Sequence, residues 1–137
     1  MSDMSFDIGV RYKTRKNDSI LEVTLLREFT VEELIEKVIT EFLQRARQEH
    51  LSKVLFDLSS LIDPVPTVLD RFKLAEAFVR LQRELKVMVK CAVVGKEPVI
   101  DPKRFGETVA VNRGALLKVF TDREEAEIWL KQDPHGE

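Results

Sequence analysis

The sequence predicts an α/β fold in which helices are layered on a mixed sheet, and three observations predict it. Met4, Phe6, Ile8, Val10 and Tyr12 alternate with Ser5, Asp7, Gly9, Arg11 and Lys13, the period of two that marks a half-buried strand. Apolar residues then recur at helical spacing over residues 31–46. From there to the end, short apolar runs and helical segments take turns, as they do where parallel strands are joined by right-handed helical crossovers.

The elements follow in order. Lys16, Asn17 and Asp18 supply turn chemistry, and SILEVTLL (residues 19–26) reads as a second strand, paired with the first in an antiparallel hairpin. Thr30 caps the first helix, and Glu33, three residues later, completes a capping box. Val31, Leu34, Ile35, Val38, Ile39, Phe42, Leu43 and Ala46 form its apolar face; Glu32, Glu33 and Glu36 come early and Arg45 and Arg47 late, which suits the helix dipole. The run VLFDL (residues 54–58) is a buried strand, and SSLIDPVPT (residues 59–67), with two prolines, is a loop. A second helix follows to about Leu85. VMVKCAVV (residues 87–94) is apolar on both faces, as a central strand should be, and Gly95 ends it. Past Pro98 and Pro102, residues 103–112 read as a short helix closed by Arg113 and Gly114, and residues 116–120 as the last strand. Thr121 or Asp122 then caps a final helix through Lys131, with Ala126, Trp129 and Leu130 facing inward. The expected architecture is one domain over residues 1–137, with its core at about 4–131 and a short tail. It holds a mixed five-stranded sheet (an N-terminal hairpin, then βαβ units) and four helices.

Composition bounds the function. A chain of 137 residues and 15.8 kDa suits a single domain, which buries roughly two-thirds of the surface its unfolded chain exposes. One cysteine excludes an intrachain disulfide and any multi-cysteine metal site. The opening MSDMSFDIGV has acids where a signal peptide carries Lys or Arg, and no apolar run approaches ~20 residues, so a cytoplasmic protein without a membrane span is expected. A net charge of −2 and a pI of about 5.8 argue against nucleic-acid binding. The charge is uneven: −3 over residues 1–63, +5 over 64–118 and −4 over 119–137. The basic middle can meet an anionic ligand, or the acidic tail across a dimer, or both can be solvated faces.

Three segments together resemble a known family: VLFDLSSLID (residues 54–63), VMVKCAVVG (87–95) and VFTDREEAEIWL (119–130). Their order and content look like the STAS superfamily, in the branch similar to the sporulation anti-sigma-factor antagonist, which also resembles CRAL-TRIO lipid-carrier folds. The resemblance covers the chain from about Met4 to Leu130. It implies a non-enzymatic regulatory module that acts through protein–protein contacts of the second helix and the loop before it. In antagonist members the strand's Asp-Leu-Ser is followed by a second Asp and a phosphorylatable Ser. Asp57, Leu58 and Ser59 match the first part and Asp63 the second Asp, but Pro64 stands where the hydroxyl belongs, so the phosphoserine switch does not carry over. Ser59, Ser60 and Thr67 are the nearest hydroxyls. The likeness to lipid carriers implies the alternative, a carrier or sensor of a small amphipathic anion or lipid.

The carboxyl ends of the strands, where open α/β sheets bind ligands, should collect Asp57, Ser59, Ser60, Asp63, Asp101 and Asp122. Several carboxylates can hold Mg²⁺. A receiver-like phosphorylation site also needs a Lys at the end of the last strand, however, and Phe120-Thr121 offers none. Asp122 as a helix cap and Asp63 as a turn former are simpler roles. His50, His135 and Cys91 lie in no nucleophile pattern, and Gly95, Gly106 and Gly114 make no phosphate loop. No enzyme activity, cofactor or metal is expected.

The second helix is the more informative element. Val68, Phe72, Ala75 and Val79 form one apolar stripe; Leu74, Ala77, Phe78, Leu81 and Leu85 form another, well over 100° away at helical spacing. One stripe suffices to cover a sheet, so the other meets a neighbouring helix, a second subunit or an apolar ligand. Leu74, Phe78, Leu81 and Leu85 are the candidate seam of a homodimer. Arg71 lies between the stripes, where its guanidinium can anchor a carboxylate or phosphate, or pair with Asp63 or Asp70. The candidate binding set is therefore Asp57, Ser59, Ser60, Asp63, Thr67 and Arg71, facing a protein partner or a small apolar or anionic ligand.

Overall fold

Gly9 decides how the N-terminal run folds. Its φ of 88° lies in the left-handed region, and a Cβ there would sit 2.6 Å from Cγ of Arg27. The alternating run therefore folds back at Gly9 instead of continuing as one strand: β1 (Met4–Asp7) pairs antiparallel with β2 (Val10–Arg15), Phe6 opposite Arg11 and Met4 opposite Lys13. A computed structural model describes the backbone of residues 4–7 and the whole of residues 9–132. Ile8, His135 and residues 133–137 of the expected tail lie outside the described residues, as do the side chains of Met4 and Phe6.

The other expected strands are β3 (Ile20–Leu25), β4 (Lys53–Asp57), β5 (Lys90–Val94) and β6 (Leu116–Phe120). β2 pairs antiparallel with β3, and every later pair is parallel, so β2–β6 are the expected mixed five-stranded sheet and β1 adds a sixth strand at its edge. Strand order follows chain order, so each crossover moves one place in the same direction. Right-handed connections of that kind place all their helices on one face. These are α1 (residues 31–48), α2 (Val68–Leu85) and α3 (Phe105–Asn112), with α2 between the other two. Past the β6 edge the chain turns under the sheet, and α4 (Arg123–Lys131) covers the opposite face.

The caps act as expected. The Thr30 hydroxyl accepts from Glu33 N at 3.1 Å while the Glu33 carboxylate accepts from Thr30 N at 2.9 Å, and Thr67 and Asp70 repeat the box at the start of α2. The Asp122 carboxylate accepts from Glu124 N at 2.9 Å. α1 is helical throughout but not uniform: an α turn (Val31–Glu33), a π segment (Leu34–Ile39) and a regular α-helix (Thr40–Gln48).

Two cores result. The larger joins Leu21, Val23 and Val54 of the sheet to Phe42 and Leu43 of α1 and Phe78 of α2. Side chains of this size contribute ~1.5–3 kcal/mol each when fully buried. The smaller packs Ile20, Leu55 and Ala92 against Ala126 and Leu130 of α4. The strand alternation sets this division: Leu21 and Val23 point one way, Ile20 the other.

Candidate apolar binding site

Beneath the N-terminal half of α2 the large core is incomplete. A cavity of about 390 Å³ opens there, with Phe56 of β4 and Cys91 and Val93 of β5 on its floor. Leu74 and Phe78 of α2 form one wall, Phe29 from the β3–α1 connection the other, and Leu61 closes the loop side. Leu61 is held by a turn in which its N–H donates to Leu58 O at 2.9 Å. The π segment of α1 borders the space through Leu34 and Ile39. Such segments are rare in helices and concentrate where a site needs shaping. The Thr40 hydroxyl supports it by donating to Ile35 O at 2.9 Å. Burial pushes the Cys91 thiol up to about 12, so the floor is inert apolar surface and not a nucleophile.

The mouth is charged. Arg71 donates from Nη2 to Pro98 O at 2.8 Å and Val99 O at 3.1 Å, and its Nη1 lies 3.3 Å from Asp101 Oδ2. Neither Asp63 nor Asp70 is its partner, which corrects that expectation: residues 96–101 fold over Arg71 and supply carbonyls that α2 lacks. Because the guanidinium is committed, Arg71 is a clamp on this loop and not a spare anchor for an anion. Asp101 holds the turn that leads into α3, accepting from Lys103 N and Phe105 N at 3.0 Å each; these two bonds, then Arg71, hold its carboxyl below the usual range. Arg104 donates to Val119 O, and Glu107 accepts from Val119 N at 2.8 Å. Glu28 and Asp63 both line the cavity, and a hydrogen bond with Asp63 raises the Glu28 carboxyl above its ordinary value.

The six candidate binding residues do not form one site. Asp63 and Arg71 both line the cavity without pairing with each other. Asp57 points to the opposite face: Oδ1 accepts from Ser59 N at 2.8 Å and from its hydroxyl at 2.6 Å, and Oδ2 from Arg123 Nη1 at 3.1 Å. Ser60 is exposed in a turn, and Thr67 serves as a cap. Asp57 is thus apart from Asp63 and Asp101, which both line the cavity, and no group of three His, Cys, Asp or Glu side chains among the described residues is placed to hold a metal ion.

The expected dimer seam also changes. Phe78 and Leu81 are only 3% and 8% exposed, and Leu74 and Leu85 pack against the same core. The second stripe of α2 is covered by α1, by α3 and by the cavity, because α2 sits between two helices on one face of the sheet. Four exposed apolar residues lie instead in the loop before α2 and in its first turn, at Ile62 (69%), Val65 (47%), Val68 (65%) and Leu69 (59%), and Val65 also lines the cavity; Leu26, Met88, Val111, Leu116 and Ile128 are exposed as well.

Glu28 and Phe29 were not among the candidate residues. They come from a connection without periodicity, and the only signal for them is their place after the carboxyl end of a parallel strand. Among the described residues no helix is long and apolar enough to cross a membrane. Neither a scan of protein-family models nor a search of curated proteins gives a match to this chain.

Proposed function

We propose that this chain is a non-enzymatic, STAS-like carrier or sensor module that holds one small apolar molecule beneath α2. The observation that carries this reading is the cavity of about 390 Å³, a volume in the range of small-molecule sites and lined mainly by apolar side chains. The surplus apolar arc of α2 supports it, because that arc forms a wall of the space. The segment order that resembles STAS and CRAL-TRIO proteins supports it as well. Native mass spectrometry of freshly purified protein should give a mass above 15.8 kDa by one small molecule, and stripped protein should take up octanol one-to-one by calorimetry. A bare chain that takes up no octanol would end this reading.

The exposed quartet Ile62, Val65, Val68 and Leu69 favours a second reading, an interaction module whose docking surface is the loop and first turn of α2, with a second copy of the chain as partner. Light scattering at micromolar protein should then give a dimer that Ile62→Ser with Val68→Ser returns to monomer. A wild-type monomer would remove it.

A further inference from the structure

We infer that the cavity selects an amphipathic cation, an apolar chain or ring carrying an amine or quaternary ammonium that sits between Glu28 and Asp63. The inference rests on the carrier reading above and adds the ligand's charge. The starting point is the apolar cavity, which accounts for the ligand's body but is silent on its head group. The mouth supplies that information once each charge there is followed to its partner.

Arg71 and Arg104 are the cations that border the cavity, and both donate to backbone carbonyls. Asp101 is matched by Arg71 and by two backbone N–H groups, Glu107 by Val119 N, and Asp70 by Thr67 N. Arg27, next in sequence to Glu28, turns away: its guanidinium lies 3.8 Å above the Phe29 ring and donates to the carbonyl, not the carboxylate, of Glu28. Glu28 and Asp63 are left without an ion-pair partner among the described residues. Both carboxyls line the cavity, and a hydrogen bond between them, then their mutual repulsion when both ionise, raises the Glu28 carboxyl. A ligand anion would add a third negative charge at that point, whereas an ammonium relieves the repulsion while its apolar body fills the space behind. Charge complementarity thus points opposite to the anion expected from the basic middle of the sequence, because the cations of that segment that reach the cavity are already engaged.

Calorimetry with octyltrimethylammonium, octanol and octanoate, which share a tail and differ in head group, tests this on the full chain. The expected result is that octyltrimethylammonium binds at least tenfold more tightly than octanol at low ionic strength, with octanoate the weakest. The advantage should shrink in high salt and vanish in Glu28→Gln with Asp63→Asn, while octanol binding is unchanged. Both residues are exposed, so the double variant should fold, and a loss of octanol binding on substitution would itself count against the assignment. Octanol or octanoate binding as tightly as the ammonium would overturn the inference and leave the carrier reading intact. Failure of all three to bind would overturn both.

Discussion

Among the described residues, three of the four helices stop on a residue in the left-handed region, and only one of the three is glycine. His50 (φ 57°), Lys86 (φ 56°) and Gly114 (φ 90°) each follow a helix, and the next residue's N–H reaches back into the last turn: Leu51 to Ala46 O at 2.8 Å, Val87 to Gln82 O at 3.0 Å, Ala115 to Ala110 O at 3.0 Å. This is the Schellman arrangement, which glycine fits best because a Cβ crowds the neighbouring carbonyl. Lys86 is exposed and α2 needs only its backbone there. Lys86→Gly should therefore stabilise the protein by about 1 kcal/mol, read as a higher urea midpoint with an unchanged slope. A lower midpoint would mean that the lysine side chain holds the helix end. The stop at Gly114 was legible in the sequence, since glycine there announces a turn. The end of α2 at about Leu85 was legible too, but the left-handed backbone at His50 and Lys86 was not, since that conformation in an ordinary residue is imposed by the chain's need to re-enter the sheet. Gly9 was misleading for a related reason: Asp7 and Val10 are cross-strand partners, so a two-residue connection keeps the alternation running through the turn.

At the scale of elements, α4 is the only helix on its face among the described residues, and a lattice of charges completes what it does not cover. Arg123 reaches Glu22 at 2.8 Å, Asp57 at 3.1 Å and Glu127 at 3.2 Å; Arg15 reaches Asp18 at 2.8 Å, Glu22 at 3.0 Å and Glu127 at 3.1 Å. The network ties α4 to β2, β3 and β4. At its far end the buried Lys90 ammonium donates to the carbonyls of Trp129 and Gln132, the C-terminal turn where a cation is favoured. Burial alone would raise the Glu127 carboxyl, but hydrogen bonds from Arg15 and then Arg123 outweigh it and hold the group below its ordinary 4.5. A carboxyl lowered in the native state stabilises the fold above its unfolded value, and that contribution is lost as pH falls through the native one. The raised Glu28 carboxyl acts in the opposite sense, since the native state then binds a proton more readily than the unfolded chain. Urea midpoints should accordingly fall as pH drops below about 4.5, and Glu127→Gln should flatten that fall at a cost of about 1 kcal/mol at neutral pH. An unchanged acid profile in Glu127→Gln would show that the lattice is ornamental. The helices themselves were legible because capping and amphipathic spacing are local. This lattice was not, because Arg15, Glu22, Asp57 and Arg123 lie far apart in sequence and meet only once the sheet is assembled.

For the whole molecule, the excess of apolar surface on α2 was legible in the sequence, but its purpose was not. Periodicity counts the apolar arc of a helix; it does not say how many neighbours the fold supplies. Placing α1 and α3 on both sides of α2 uses most of the second stripe and leaves a hollow where the π segment, the loop of residues 58–67 and α2 fail to close on the sheet. If that hollow is open in solution, it accepts added side-chain volume. Ala75, 6% exposed, lines it from α2. Filling a real void commonly stabilises by ~0.5–2 kcal/mol, while forcing methylenes into a closed core costs ~1–3 kcal/mol. Ala75→Leu should thus match or exceed the wild-type urea midpoint and weaken octanol uptake at least tenfold. A large loss of stability would mean that the space is collapsed in solution. Normal stability with normal uptake would place the ligand elsewhere. Because uptake is expected to fall while stability holds or rises, a general disturbance of the fold cannot imitate the result.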